Sequence, residues 1–143
     1  MAKNAPKNSK QVVGNIGLYY VCYELSKLGW NVLSTSRNAK GVDIIIYSQD
    51  AKKTHTIQVK ALSKKDPVPL GSNLDNLFAE YLIICCNVMD KPELFVDEID
   101  EDLKKIIHKR INNQGITSYW LQPKDYEKNF MNDLKAVIKK SCV

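Results

Sequence analysis

The 143-residue sequence predicts an α/β or α+β domain arranged around one sheet. Three observations predict it. An apolar stripe at helical spacing opens the chain, short β-branched and alternating runs fill the middle, and a second helical stripe closes it. The length suits one compact domain and is short for two. Hydrophobic residues make up 44% and charged residues 26%, which excludes a disordered chain, a collagen-like repeat or a coiled-coil rod as overall descriptions.

Residues 1–9 are polar, carry two lysines and show no periodicity, so they are expected to form a flexible basic arm before a single domain over 10–143. The first helix is expected over 10–28, with Val13, Ile16, Tyr20, Leu25 and Leu28 on one stripe and Gly29 as its stop. Gly14 and Gly17 lie inside it, where a glycine marks close approach of another backbone. Strands follow over 30–34, 42–47 and 54–62. In the last, Ile57, Val59 and Ala61 alternate with Thr56, Gln58 and Lys60. The short polar turn at 48–53 favours an antiparallel hairpin. Residues 63–76 carry Pro67, Pro69 and Gly71 and read as an exposed loop. The apolar run 81–87 reads as a buried strand, paired with 94–96 through a tight turn. Residues 97–112 read as a helix with acids at its start and bases at its end. A short strand over 119–121 and a helix over 124–140, with Tyr126, Phe130, Leu134, Val137 and Ile138 on one face, complete the chain.

Charge divides along the sequence. The net charge is +5, but residues 1–65 hold 11 Lys/Arg against 3 acids, while residues 66–143 hold 10 against 13. A basic half suits a polyanionic partner such as nucleic acid; an acidic protein, or simply a solvated lysine surface, are the alternatives. The four cysteines, Cys22, Cys85, Cys86 and Cys142, form no C-x-x-C pair, and His55 and His108 are solitary, so no zinc site is expected. No apolar run is long enough to span a bilayer and no signal-peptide core is visible, so the expected setting is reducing and cytoplasmic.

The stretch that bears on chemistry is Gly41-Val42-Asp43 followed, after fourteen intervening residues, by Gln58-Val59-Lys60. Gln58 and Lys60 are two apart and share a strand face. Asp43 precedes three isoleucines, an unusual place for a carboxylate with no task.

Together with Gly29-Trp30 these residues give the chain its resemblance to the PD-(D/E)xK nuclease superfamily, and in particular to small Holliday-junction-resolvase-like and restriction-endonuclease-like members. The resemblance covers residues 10–62 best. It implies an α/β, restriction-endonuclease-like fold with a central mixed sheet flanked by helices, and a metal-dependent endonuclease that hydrolyses DNA phosphodiesters. It also implies Mg²⁺ or Mn²⁺ as cofactor, DNA as partner and a homodimer. By the same resemblance Asp43, Gln58 and Lys60 are the catalytic residues, and Asp43, Gln58 and the Val59 carbonyl are the metal ligands. Magnesium favours such oxygen ligands, with water and phosphate completing its shell. Ser36, Arg37, Asn38, Lys40 and Lys64 are placed where DNA phosphates would pass, with Lys52, Lys53 and Lys65 as further cations of the same groove. Two departures stand out: Gln58 replaces the family's second acid, and Leu18 occupies the helix position where relatives carry Glu. Both leave open a non-catalytic nucleic-acid-binding module on the same fold. A protein-interaction domain is the third alternative.

Overall fold

A computed structural model describes residues 9–36 and 40–141. Helix α1 (Lys10–Lys27) opens the fold, and Ser9 caps it by accepting the Val12 N–H at 3.1 Å. Ser9 therefore belongs to the helix rather than to the arm; residues 1–8 lie outside the described residues.

Strands β1 (Asn31–Ser34), β2 (Ile44–Tyr47) and β3 (Thr54–Ala61) form an antiparallel meander. Strand β5 (Tyr81–Cys86) then lies parallel to β3, and β6 (Glu93–Glu98) antiparallel to β5, giving a mixed five-stranded sheet of order β1-β2-β3-β5-β6. The hairpin expected at 48–53 and the pairing of the two later strands are both present. The molecule is thus α/β with a mixed central sheet.

Contrary to the expectation of one sheet, a second one is present. Strands β4 (Val68–Pro69), β7 (His108–Ile111) and β8 (Thr117–Leu121) form it in the order β4-β8-β7. Part of the expected loop 63–76 supplies β4, and a single 3-10 turn spans Leu74–Asn76. The helix expected over 97–112 shrinks to α2 (Glu101–Lys105), capped by Asp100 at 2.9 Å from the Leu103 N–H. After it β7 pairs with β8 rather than continuing as helix. Asn112 turns the chain by accepting the N–H groups of Gln114 and Ile116, each at 2.9 Å. The expected closing helix is split into α3 (Pro123–Asn129) and α4 (Leu134–Val137). Between them Met131 exchanges two backbone hydrogen bonds with Val96, at 2.8 and 3.0 Å, and so covers part of the β6 edge. Phe130, Leu134 and Ile138 remain buried as the stripe required.

The central sheet is buried on both faces. Val13, Val21, Leu25, Ile44, Ile46, Ile57, Ile83, Leu134 and Ile138 pack on the α1/α4 side. Leu82, Ile84, Phe95, Val68, Leu121 and Tyr126 pack on the side of the second sheet. Strand β5 feeds both clusters by alternation, which is why its sequence is continuously apolar. Burial pushes the Cys85 thiol up to about 12, as befits a small apolar filler.

α1 meets β3 through Gly17. A Cβ there would collide with Cβ of Ala61, whereas a Cβ on Gly14 would meet nothing. Gly14→Ala is therefore expected to raise stability by about 1 kcal/mol through helix propensity alone. Gly17→Ala is expected to lower it by about 1–2 kcal/mol, because two rigid backbones must part. Urea midpoints of the two variants check this, and equal shifts would contradict the close approach.

Candidate functional site

Strand β2 begins at Ile44, and the residue before it, Asp43, is held from both sides. Its N–H donates to the Ile57 carbonyl and its carbonyl accepts the Thr35 N–H, both at 2.9 Å. Its carboxylate reaches across to β3, where Oδ2 accepts the Val59 N–H at 2.8 Å. Extending the β2–β3 register by one residue sets Asp43 opposite Gln58. A side-chain oxygen has taken over a ladder position, so β2 and β3 part at this point.

A cavity of about 310 Å³ opens there. Asp43, Val59 and Ala61 line it from the strands, Thr35 and Ser36 from the end of β1, and Gln11, Gly14, Asn15 and Leu18 from α1. No hydrogen bond reaches Asp43 Oδ1 from the described residues. The side chain of Thr35 is committed, donating to the Val42 carbonyl at 2.6 Å. Leu18, the position where the resemblance expects an acid, sits in this same cavity. Glu24 lies elsewhere, beside Tyr20 and 3.7 Å from Lys27.

Gln58 and Lys60 share a face, as their spacing requires: their β5 partners, Leu82 and Ile84, belong to the second-sheet side of the core. Neither lines the Asp43 cavity. Lys60 lines an adjoining one of about 280 Å³ with Lys10, Val13, Leu62, Ser63 and Pro69, and Ala61 borders both. Burial holds the Lys60 ammonium below the ordinary lysine range, while the nearby Asp43 carboxylate pulls it back up. Oε1 of Gln58 is buried with no hydrogen-bond partner among the described residues. An amide oxygen in that state is an acceptor without a donor, a costly arrangement. The Val59 carbonyl leaves β3 on the same edge as the N–H that Asp43 takes. Asp43 and the Val59 backbone thus meet directly, with Lys60 in the field of Asp43, while the side chains of Gln58 and Lys60 leave β3 on the face opposite to Val59 and Ala61.

The basic residues expected along a groove separate into groups. Ser36 lines the cavity, Lys40 is exposed next to Gly41, and Lys64 is exposed beyond the end of β3. Arg37 and Asn38 lie outside the described residues. Lys52 and Lys53 sit at the far end of the hairpin, about 20 Å of strand from Lys60, and cannot share its groove. Lys65 is engaged with Glu93 at 3.1 Å and Glu127 at 3.7 Å, and lies over the Phe95 ring. Sequence reasoning missed Lys10, a cation of the Lys60 cavity, and the neutral amides of Gln11 and Asn15 in the Asp43 cavity. The spacing of Gln11, Asn15 and Leu18 at i, i+4 and i+7 was the available signal.

Among the described residues no group of three His, Cys, Asp or Glu side chains gathers as a metal cluster, and no helix is long and apolar enough to cross a membrane. Comparison with known proteins finds no family model, no curated relative and no solved structure that matches the chain.

Proposed function

We propose that the chain is a metal-dependent DNA endonuclease of the PD-(D/E)xK type, hydrolysing phosphodiester bonds at the Asp43 cavity. The observation that carries this reading is the 2.8 Å bond from the Val59 N–H to Asp43, which sets the acid against the middle of Gln58-Val59-Lys60. The element order also supports it: a helix, an antiparallel triplet, then a strand parallel to the third. A restriction-endonuclease-like fold is part of this proposal.

The donor set fits a weakly held Mg²⁺ or Mn²⁺. Asp43 would offer an oxygen that no hydrogen bond from the described residues reaches, and the Val59 carbonyl a second donor, while Gln58 Oε1, without a partner among the described residues, stands outside the Asp43 cavity. With one carboxylate, affinity depends on the substrate phosphate as co-ligand. The ion, when bound, neutralises phosphate charge and provides hydroxide near neutral pH. Asp43 then fixes the site against the sheet. Lys60, its proton loosened by burial, takes the proton of the attacking water or donates to the phosphorane oxygen. Lys10, Lys40 and Lys64 hold the backbone of the DNA. Two chains acting as a homodimer would cut both strands of a duplex.

A second reading, a DNA-binding module without turnover, is favoured by Leu18 in the cavity and by the amide of Gln58. Supercoiled, linear, branched and single-stranded DNA incubated with Mg²⁺ or Mn²⁺ decides between them. Nicking or cleavage is the expected result. Salt-sensitive binding without turnover selects the second reading, and no affinity at low salt overturns both in favour of protein interaction.

A further inference from the structure

The outer face of the second sheet carries an aromatic residue among cations, remote from the residues assigned above. His108 and Arg110 alternate along β7, the outer strand, and are paired with Trp120 and Ser118 of β8. All four side chains therefore share one face. Trp120 donates its indole N–H to Ser118 at 2.9 Å, which holds the ring along its own strand. On the inner face Val68 and Leu121 are fully buried, so the strand cannot turn the indole inward. A cavity of about 450 Å³ lies against Trp120, lined also by Pro67, His108, Lys109, Arg110 and Gln122. It contains two cations and one imidazole. Its neighbouring carboxylate, Asp125, is taken up by His108 at 2.7 Å, while Asp66 stands beside Pro67.

We propose that this face is a stacking platform for an unpaired DNA strand, with one base on Trp120 and the phosphates on Arg110 and Lys109. A half-buried aromatic that lines an open cavity beside two cations, with few free acids, matches the chemistry of single strands, whose bases stack on aromatic rings while the backbone follows positive charge. A protein partner would be met by apolar neighbours, whereas every other residue of the cavity except Pro67 is polar or charged. The platform also connects to the Asp43 site. Pro69 is the β4 partner of Trp120 and lines the cavity of Lys60, which Ala61 joins to that of Asp43. A strand leaving the Asp43 cavity along Lys60 thus arrives at Trp120. This inference rests on the nucleic-acid part of the proposed function and not on catalysis.

The chain has two tryptophans, and Trp30 is buried with its N–H on the Lys139 carbonyl at 2.8 Å, so quenching of indole emission reports on Trp120. Titrating the full chain with oligo(dT) is expected to quench that emission, more strongly than a duplex of equal length does. Trp120→Ala is expected to weaken oligo(dT) binding about tenfold, measured by anisotropy of a labelled strand. Arg110→Ala, exposed on the edge strand, is expected to weaken it and to reduce its salt dependence, without touching the core. Should Trp120→Ala unfold, Trp120→Phe and Arg110→Ala carry the test. Oligo(dT) affinity indifferent to Trp120 and Arg110 overturns the platform, even where DNA is cleaved. Trp120-dependent binding with no cleavage of any DNA upholds the platform and overturns the endonuclease reading instead.

Discussion

Asp43→Asn is expected to lower DNA cleavage by at least about 10²-fold, the scale of losing one preorganised electrostatic contact at a reacting phosphate. The fold should survive, because the amide oxygen can still accept the Val59 N–H and the change costs under about 1 kcal/mol. DNA binding should hold or tighten, since a negative charge has been removed from the phosphate path. Lys60→Met is expected to abolish cleavage as well, but with the opposite effect on stability. Burial outweighs Asp43 in setting the Lys60 ammonium, so the folded chain holds that proton less firmly than the unfolded chain does. The unfolded state then binds more protons, and stability rises with pH. The penalty is fully present below the folded value and is relieved as pH climbs from there toward the ordinary lysine value of about 10.4. Lys60→Met removes both the penalty and the rise, raising stability at pH 7, read from the urea midpoint, by on the order of 1 kcal/mol. Single-turnover nicking of supercoiled DNA and urea titrations at pH 7 and 9 check the pair. Cleavage that persists in both variants would remove Asp43 and Lys60 from the site.

Gly41→Ala is expected to cost about 3 kcal/mol and to impair the site two residues on. Gly41 has φ +74, a left-handed conformation that costs an alanine about 1–2 kcal/mol. A Cβ there would also run into the carbonyl oxygen of Asn76 and the ring of Phe78. The ring could rotate away, but the carbonyl belongs to the last residue of the 3-10 turn and must be displaced. Overpacking of that kind adds about 1–3 kcal/mol. Gly41 therefore lets the 74–78 segment pack against the chain two residues before Asp43. A wild-type urea midpoint for Gly41→Ala would show that this contact yields freely, and normal cleavage by it would show that Asp43 is positioned without it.

How far the site could be read from the sequence follows from the range of the interactions. The meeting of Asp43 with the Gln58-Val59-Lys60 stretch was legible because both lie on one hairpin with a short turn, but the sharing of one cavity by Asp43, Gln58 and Lys60 was not met, since Val59 and Ala61 line the Asp43 cavity instead. Gln11, Asn15 and Lys10 were not legible as site residues. They reach the cavity only because α1 settles against Ala61 at Gly17, a contact separated by more than forty residues. The tyrosines of α1 follow its stripe: Tyr20, which belongs to it, packs against the core, while Tyr19 and Tyr23 are exposed and Lys27 lies over the Tyr23 ring.

The sequence by itself determined the first helix, the β2–β3 hairpin, the doubly buried strand β5 and the pair of residues at which cleavage chemistry is proposed. Each is encoded by periodicity, a cap or a turn within some twenty residues. Only the tertiary structure decided that 108–111 is a strand and that the last helix breaks at Met131. Both segments are short, and helix formation in a short segment is marginal, so an available strand edge decides the outcome. For β7 that edge is β8, and for Met131 it is β6 at Val96. The backbone donors and acceptors of those edges demand partners, and the chain that satisfies them is chosen by proximity in space, which no local pattern records.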